Sequence, residues 1–137
     1  MRLLSRDGKV VAMKSIDVRD IEATLKALAD GTRLRILGLL SEGEVCVCSL
    51  HESLDLPQPM VSRHLGHLRR AGLVDTRKKG LWVYYRLTAP ATPIVDLLLS
   101  PLRQCLEHLP TAERDRRRLR KRMSCSVSRS AGSRPGM

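Results

Sequence analysis

The sequence has almost no aromatic residues. Its 137 residues include one Trp, two Tyr and no Phe. Single-strand nucleic-acid platforms stack bases on several aromatic faces, and Trp82, Tyr84 and Tyr85 alone do not furnish one. Long apolar runs are missing as well. Asp96 interrupts the most apolar stretch, Ile94–Leu99, which falls far short of the roughly 20 residues that cross a bilayer. No membrane partner is expected. The N-terminus carries basic residues but no apolar run leading to a small-residue cleavage site, which argues against secretion and for a cytoplasmic protein. Cysteine is sparse, at 46, 48, 105 and 125. One residue separates Cys46 from Cys48, a spacing that resists mutual disulfide closure, so all four read as reduced thiols. There is no P-loop, no Gly-rich nucleotide fingerprint and no C-x-x-C beside a βαβ unit. His51, His64, His67 and His108 fall on or near helices with no nucleophile set around them. The chain is therefore not read as an enzyme, and no organic cofactor is expected.

Positive charge is what the sequence has in excess. The net charge is +11, which points to a polyanion, most simply duplex DNA read through its phosphates. Residues 57–87 hold seven Lys/Arg against one Asp, and residues 111–137 hold nine against two acidic residues. The stretches before and between these zones are each close to neutral. The first basic zone alternates with strong apolar periodicity and must be folded. The second has little to bury, so residues 111–137 read as a basic, disordered tail adding non-specific affinity at most. Residues 1–15 read as an N-terminal extension, with Met13 a second candidate start, and residues 16–110 as the folded domain.

Val18, Ile21, Leu25 and Leu28 recur at helical spacing behind a candidate cap, Asp17. Asp30 precedes a second helix through Leu40, ended by Gly43. A short helix follows from about Val47 to Leu54. Asp55-Leu-Pro-Gln-Pro is turn chemistry, and Pro59 suits the first turn of a fourth helix, which Gly72 stops. Val74–Lys79 and Leu81–Leu87 read as two strands around a basic tip. A last helix spans about Ile94–Leu109, with Pro101 a candidate break. The fold class is mainly α with a small β-hairpin: a helix-turn-helix followed by a two-stranded wing.

On the fourth helix, residues rotate about 100° each. Val61, Leu65 and Leu68 gather on one face. Arg63, Gly66 and His67 lie opposite, with Ser62 and His64 at the borders and Gln58 just before the first turn. A major groove accepts such a helix, with Arg reading guanine and Gln reading adenine. Arg77, Lys78 and Lys79 at the hairpin tip are placed to straddle a neighbouring phosphate or the minor groove. A merely solvated helix face is the plain alternative, but the short helix, turn and basic hairpin together favour DNA.

Cys46-Val-Cys48 is the main chemical signal. Thiolates are soft ligands, suited to As(III), Sb(III), Cd(II), Pb(II) or Cu(I). Residues two apart in a helix point about 200° apart, so the two sulfurs converge only if Cys46 lies in extended backbone, where i and i+2 share a face. Chelation thus requires, or enforces, non-helical backbone at the start of the third helix. A helix N-terminus also favours thiolate. The plain alternative is that both are small core residues.

Leu28-Ala-Asp-Gly-Thr-Arg-Leu-Arg-Ile-Leu37, Glu44-Val-Cys-Val-Cys-Ser-Leu50, Gln58-Pro-Met-Val-Ser-Arg-His-Leu65, Leu68-Arg-Arg-Ala-Gly-Leu-Val74 and Gly80-Leu-Trp-Val-Tyr-Tyr-Arg-Leu87 closely resemble the ArsR (ArsR/SmtB) family of metalloregulatory repressors, over about residues 20–108. The resemblance implies a winged helix-turn-helix that homodimerises through its first and last helices. It implies a protein that sits on an inverted-repeat operator in duplex DNA and leaves when a metal or metalloid binds. Gln58, Ser62, Arg63 and His64 match the family's recognition-helix positions. Arsenic-responsive members extend the motif to Cys-Val-Cys-x-x-Cys, whereas here the third position is His51, a poorer ligand for As(III). A hydroxide, Cys105 or Cys125 are the other candidates to complete the site. The zinc-sensing ligand pattern is missing from the last helix, and no Cys precedes position 46 as in the cadmium/lead sensors. As(III) or Sb(III) is the favoured inducer. The alternatives are a Cd/Pb sensor or a redox-responsive winged-helix regulator.

Overall fold

The structure is a computed structural model that describes residues 2–4, 10–12, 17–88 and 93–130, with side chains described for 17–88 and 96–122. The elements in chain order are β1 (Arg2–Leu4), β2 (Val10–Ala12), α1 (Val18–Leu28), α2 (Gly31–Leu40), β3 (Val45–Cys46) and α3 (Val47–Leu54). They continue with α4 (Gln58–Arg70), β4 (Val74–Lys79), β5 (Trp82–Leu87), α5 (Pro93–Glu107) and α6 (Pro110–Ser130).

Local chemistry sets the boundaries. The Asp17 carboxylate accepts from the Arg19 amide, and the Asp20 carboxylate accepts from the Asp17 amide, closing a capping box at the start of α1. The Asp30 carboxylate accepts from the Arg33 amide at 3.0 Å and starts α2. Gly72, at φ +77°, gives the left-handed residue that ends α4 and turns the chain into β4. Pro101 lies inside α5 without ending it. Leu99 and Leu106, both buried on the core side, hold the helix across the hydrogen bond that Pro101, lacking an N–H, cannot make.

Ile36, Leu37, Leu50, Leu54, Val61, Leu65, Leu68 and Leu73 are fully buried or nearly so and form one cluster. Each buried leucine contributes about 1.5–3 kcal/mol relative to an exposed one. α2 lies at the centre, touching α3, α4, α5 and α6. The wing differs from the expected pair of strands. β3 adds to it, giving a three-stranded antiparallel sheet in the order β3-β5-β4. Val45 pairs with Tyr85 and Cys46 with Tyr84, so the thiol motif begins on an edge strand of the wing. A short antiparallel β1–β2 pair also forms within the N-terminal extension; its three-residue strands are too brief for a sequence pattern.

The reading of residues 111–137 as a disordered tail is corrected over 111–130, and its remainder, 131–137, lies outside the described residues. α6 is helical and packs on α2 and α3. All of Ile36–Leu40 is buried, so α2 needs cover on more than one side, and Leu119 and Ala112 of α6 help provide it. The Arg35 guanidinium donates to both carboxylate oxygens of Asp115 at 2.9 Å and to the Leu54 carbonyl at 3.0 Å. Arg116 donates to the Glu107 carbonyl and to Glu113, each at 3.0 Å. Arg118 reaches the Ser53 carbonyl at 3.5 Å, and Arg122 pairs with Glu52. Charge that reads as solvated in the sequence is partly taken up by partners within the fold.

Candidate functional site

Val61, Leu65 and Leu68 lock the inner side of α4 into the core at 0% exposure. The opposite side carries Gln58, Ser62 and Arg63, all exposed, and the half-buried His67. Partial desolvation, with the positive charges of Arg33 and Arg70, holds the His67 imidazole below its usual range. Near neutral pH it is therefore an uncharged hydrogen-bonding group.

His64 does not stand with that set. Its side chain is 17% exposed and faces the start of α2. Nδ1 lies 3.3 Å from an Arg33 guanidinium nitrogen and 3.9 Å from the Asp30 carboxylate. Arg33 in turn donates to the carbonyls of Ala27 and Lys26, at 2.7 and 2.9 Å. His64 thus joins α4 to the α1–α2 junction. Sequence reasoning misses this bracket, because helical position alone places His64 at the border between faces and says nothing of Asp30 and Arg33 lying beside it.

Arg77, Lys78 and Lys79 are exposed on the wing. Arg77 is not a free cation, however. Its Nε donates to both Glu44 carboxylate oxygens at 3.1 Å, and its guanidinium carbon lies 5.7 Å from the centre of the Tyr84 ring. That ion pair holds the Glu44 carboxyl below its ordinary range, with Arg86 and Lys79 adding to the effect. Lys78 and Lys79 stand nearer the hairpin tip, with side chains open to solvent, and are the wing cations best placed for phosphate. Lys78→Ala/Lys79→Ala is expected to lower the slope of log affinity against log salt by about 2 if both lysines neutralise phosphates, since each neutralised phosphate adds about 0.9 to that slope. Sequence preference should be unchanged, as measured by anisotropy on duplexes at several salt concentrations.

The thiol pair has the geometry that chelation of one ion by both sulfurs requires. Cys46 is the N-cap of α3 with extended backbone, φ −69° and ψ 144°. Cys48 is the second residue of the helix. Their sulfurs lie 2.9 Å apart, both half-buried and both free thiols. Two soft donors therefore face one point with α3 fully formed from Val47, so capture does not require the helix to unwind. The expected help from the helix N-terminus is outweighed. The amides of Cys48 and Ser49 do favour its thiolate, but burial, with Cys46 beside it, pushes the Cys48 thiol up.

The other candidate donors are elsewhere. His51 Nδ1 is 3.2 Å from the Leu56 carbonyl and Nε2 is 3.9 Å from Glu52, which engages the ring at the C-terminal end of α3. Cys105 is exposed on α5, which packs on α1 and α2. The Cys125 side chain lies outside those described. Among the described residues, no group of three His, Cys, Asp or Glu gathers to hold an ion.

Fold and site together define a winged helix-turn-helix protein with a thiol pair between its reading helix and its wing. The family described as "Bacterial regulatory protein, arsR family" matches residues 30–76. The chain is 52% identical over 76 residues to the arsenic resistance transcriptional regulator ArsR1 of Pseudomonas putida, covering 55% of this chain and 59% of that protein's length. HlyU from Vibrio cholerae superposes with a TM-score of 0.58 at 35% identity, over 68% of this chain and 97% of that one. The homodimeric winged helix-turn-helix DNA-binding domain of a possible ArsR-family regulator from Mycobacterium bovis gives a TM-score of 0.57 at 32% identity, over 67% and 83% of the two chains. This protein belongs to the ArsR family of bacterial regulators, as the resemblance of its motifs implied, and its relatives are transcriptional regulators rather than enzymes.

Proposed function

We propose that the chain is a homodimeric repressor seated on an inverted-repeat operator and released when As(III) or Sb(III) is captured by Cys46 and Cys48. The observation that carries this reading is the 2.9 Å approach of the two sulfurs at the junction of β3 and α3. α3 packs directly on α4, so a shift of the thiol-bearing segment moves the reading helix. The name of the Pseudomonas relative, an arsenic resistance regulator, supports the choice of inducer. Gln58, Ser62, Arg63 and His67 read the major groove, Lys78 and Lys79 hold backbone phosphate, and His64 positions the helix. When bound, the metalloid supplies bonds to two thiolates that have given up their protons. The third position falls to hydroxide or to a further thiol, Cys105 or Cys125, since His51 is engaged elsewhere.

The dimer face follows from exposed apolar side chains on the first and last helices of the family core. Val18 is 72% exposed, Leu25 48% and Leu97 37%. Leu25→Asp is expected to give a monomer in sedimentation and to weaken operator binding at least about 100-fold. Each half-site then binds singly, without the second contact that effective concentration supplies.

The test is a release titration of the operator complex with arsenite, antimonite, cadmium, lead, zinc and peroxide. Release by arsenite and antimonite at the lowest concentrations supports the reading. Release by cadmium or lead alone makes the protein a divalent-metal sensor. Release by peroxide alone, with a disulfide or sulfenate formed, makes it a redox regulator.

A further inference from the structure

The sensing strand and the wing are one sheet, and a single row of side chains crosses it. Cys46 on β3 is paired with Tyr84 on β5, and Tyr84 is paired with Arg77 on β4. Directly paired residues project to the same face of a sheet, so Cys46, Tyr84 and Arg77 form one row. The Arg77 guanidinium lies against the Tyr84 ring. Beyond it, Arg77 meets the carboxylate of Glu44, two residues ahead of Cys46, with nitrogen–oxygen distances of 3.1, 3.1 and 2.5 Å. β3 and β4 are the outer strands and share no ladder. The Glu44–Arg77 ion pair therefore ties the thiol-bearing segment to the far strand of the wing.

We propose that Glu44 is a positioning residue for the wing, and that through Arg77 it carries occupancy of the thiol pair to the DNA-contacting hairpin. This rests on the reading of Cys46 and Cys48 as the effector site. It goes beyond that reading by giving the site a second output besides the path through α3 and α4. An isolated exposed ion pair contributes little. This one differs in where it sits: the Glu44 side chain is 24% exposed against 50% for Arg77, the guanidinium lies over the ring that opposes Cys46, and Lys79 and Arg86 add their attraction to the same carboxylate.

The sequence supplies its own reporter, since Trp82 is the single tryptophan and lies on β5 paired with Lys79 at the wing. The experiment adds phenylarsine oxide to the free full-length protein and reads free thiols and Trp82 emission together. In that reaction two S–As bonds form, and the two thiol protons leave with the oxygen as water. Wild type should lose two thiols and change its Trp82 emission. Glu44→Gln should lose the same two thiols with at most about a fifth of that emission change, and Glu44→Gln/Arg77→Gln should show no further loss. Asp75→Asn, which removes a carboxylate facing Arg86 across the same wing, should behave as wild type. Two thiols lost with the full emission change in Glu44→Gln would overturn the inference and leave the effector site standing. Two thiols lost with no emission change in wild type would do the same. No loss of the Cys46 and Cys48 thiols in wild type would overturn the effector site itself, and this inference with it.

Discussion

Cys46→Ser and Cys48→Ser are each expected to bind operator DNA within about threefold of wild type and to be insensitive to arsenite. Neither thiol belongs to the DNA-facing set on α4 or to the wing lysines, so affinity without inducer should survive. Release should not. A serine hydroxyl is a hard donor that stays protonated near neutral pH, so either replacement leaves one soft donor where two face each other at 2.9 Å. A coupling between two sites is typically 1–3 kcal/mol, so the wild-type release factor should be roughly 5–150-fold, falling to about 1 in both variants. The measurement is the operator Kd with and without arsenite at fixed salt, since salt alone moves such affinities over decades. Cys105→Ser tests the third position: release unchanged from wild type leaves that place to hydroxide or Cys125, and weakened release assigns it to Cys105.

Asp115→Ala should have the largest effect on stability. The Asp115 side chain is 1% exposed and that of Arg35 25%, and their two-pronged contact joins α6 to α2. Removing the carboxylate leaves the guanidinium with the Leu54 carbonyl as its hydrogen-bond partner and the charge of Asp55 nearby. Breaking a buried pair from one side costs about 3–5 kcal/mol. Water reaches Arg35, so the lower figure of about 3 kcal/mol applies, or a melting temperature lower by about 10 °C. Arg35→Met/Asp115→Leu should recover most of the loss, because no charge is then stranded. Were residues 111–137 a loose tail, Asp115→Ala would fall within about 0.5 kcal/mol of wild type, as exposed substitutions do. Thermal unfolding followed by circular dichroism decides between them.

The helical part of the domain is legible because its signals are local. Asp17 and Asp30 cap where capping chemistry places them, Gly72 ends α4, and the Val61/Leu65/Leu68 stripe is the buried one. The requirement that Cys46 be extended follows from helix geometry alone, and the structure meets it. The parts that escape depend on distant partners. Among its described side chains α6 buries only Ala112 and Leu119 as apolar groups in a run of arginines, and its anchor is Asp115 paired with a residue 80 positions earlier. The sign that α2 needs cover on a second side, an almost unbroken apolar run from Ile36 to Leu40, is present without indicating what supplies it. β3 is two residues long and exists because β5 has a free edge. Position in the sequence groups His64 and Arg77 with the DNA-facing residues. Long-range contacts with Arg33 and Glu44, which position in the sequence does not reveal, engage both side chains within the fold.

If the thiol pair is the switch, filling it and leaving the operator are one event. The most direct measurement titrates the operator complex with arsenite while counting free thiols by mass spectrometry in the same samples. Release should track the blocking of Cys46 and Cys48 point for point, at the same midpoint. A complex that stays on its operator with both thiols occupied would contradict it.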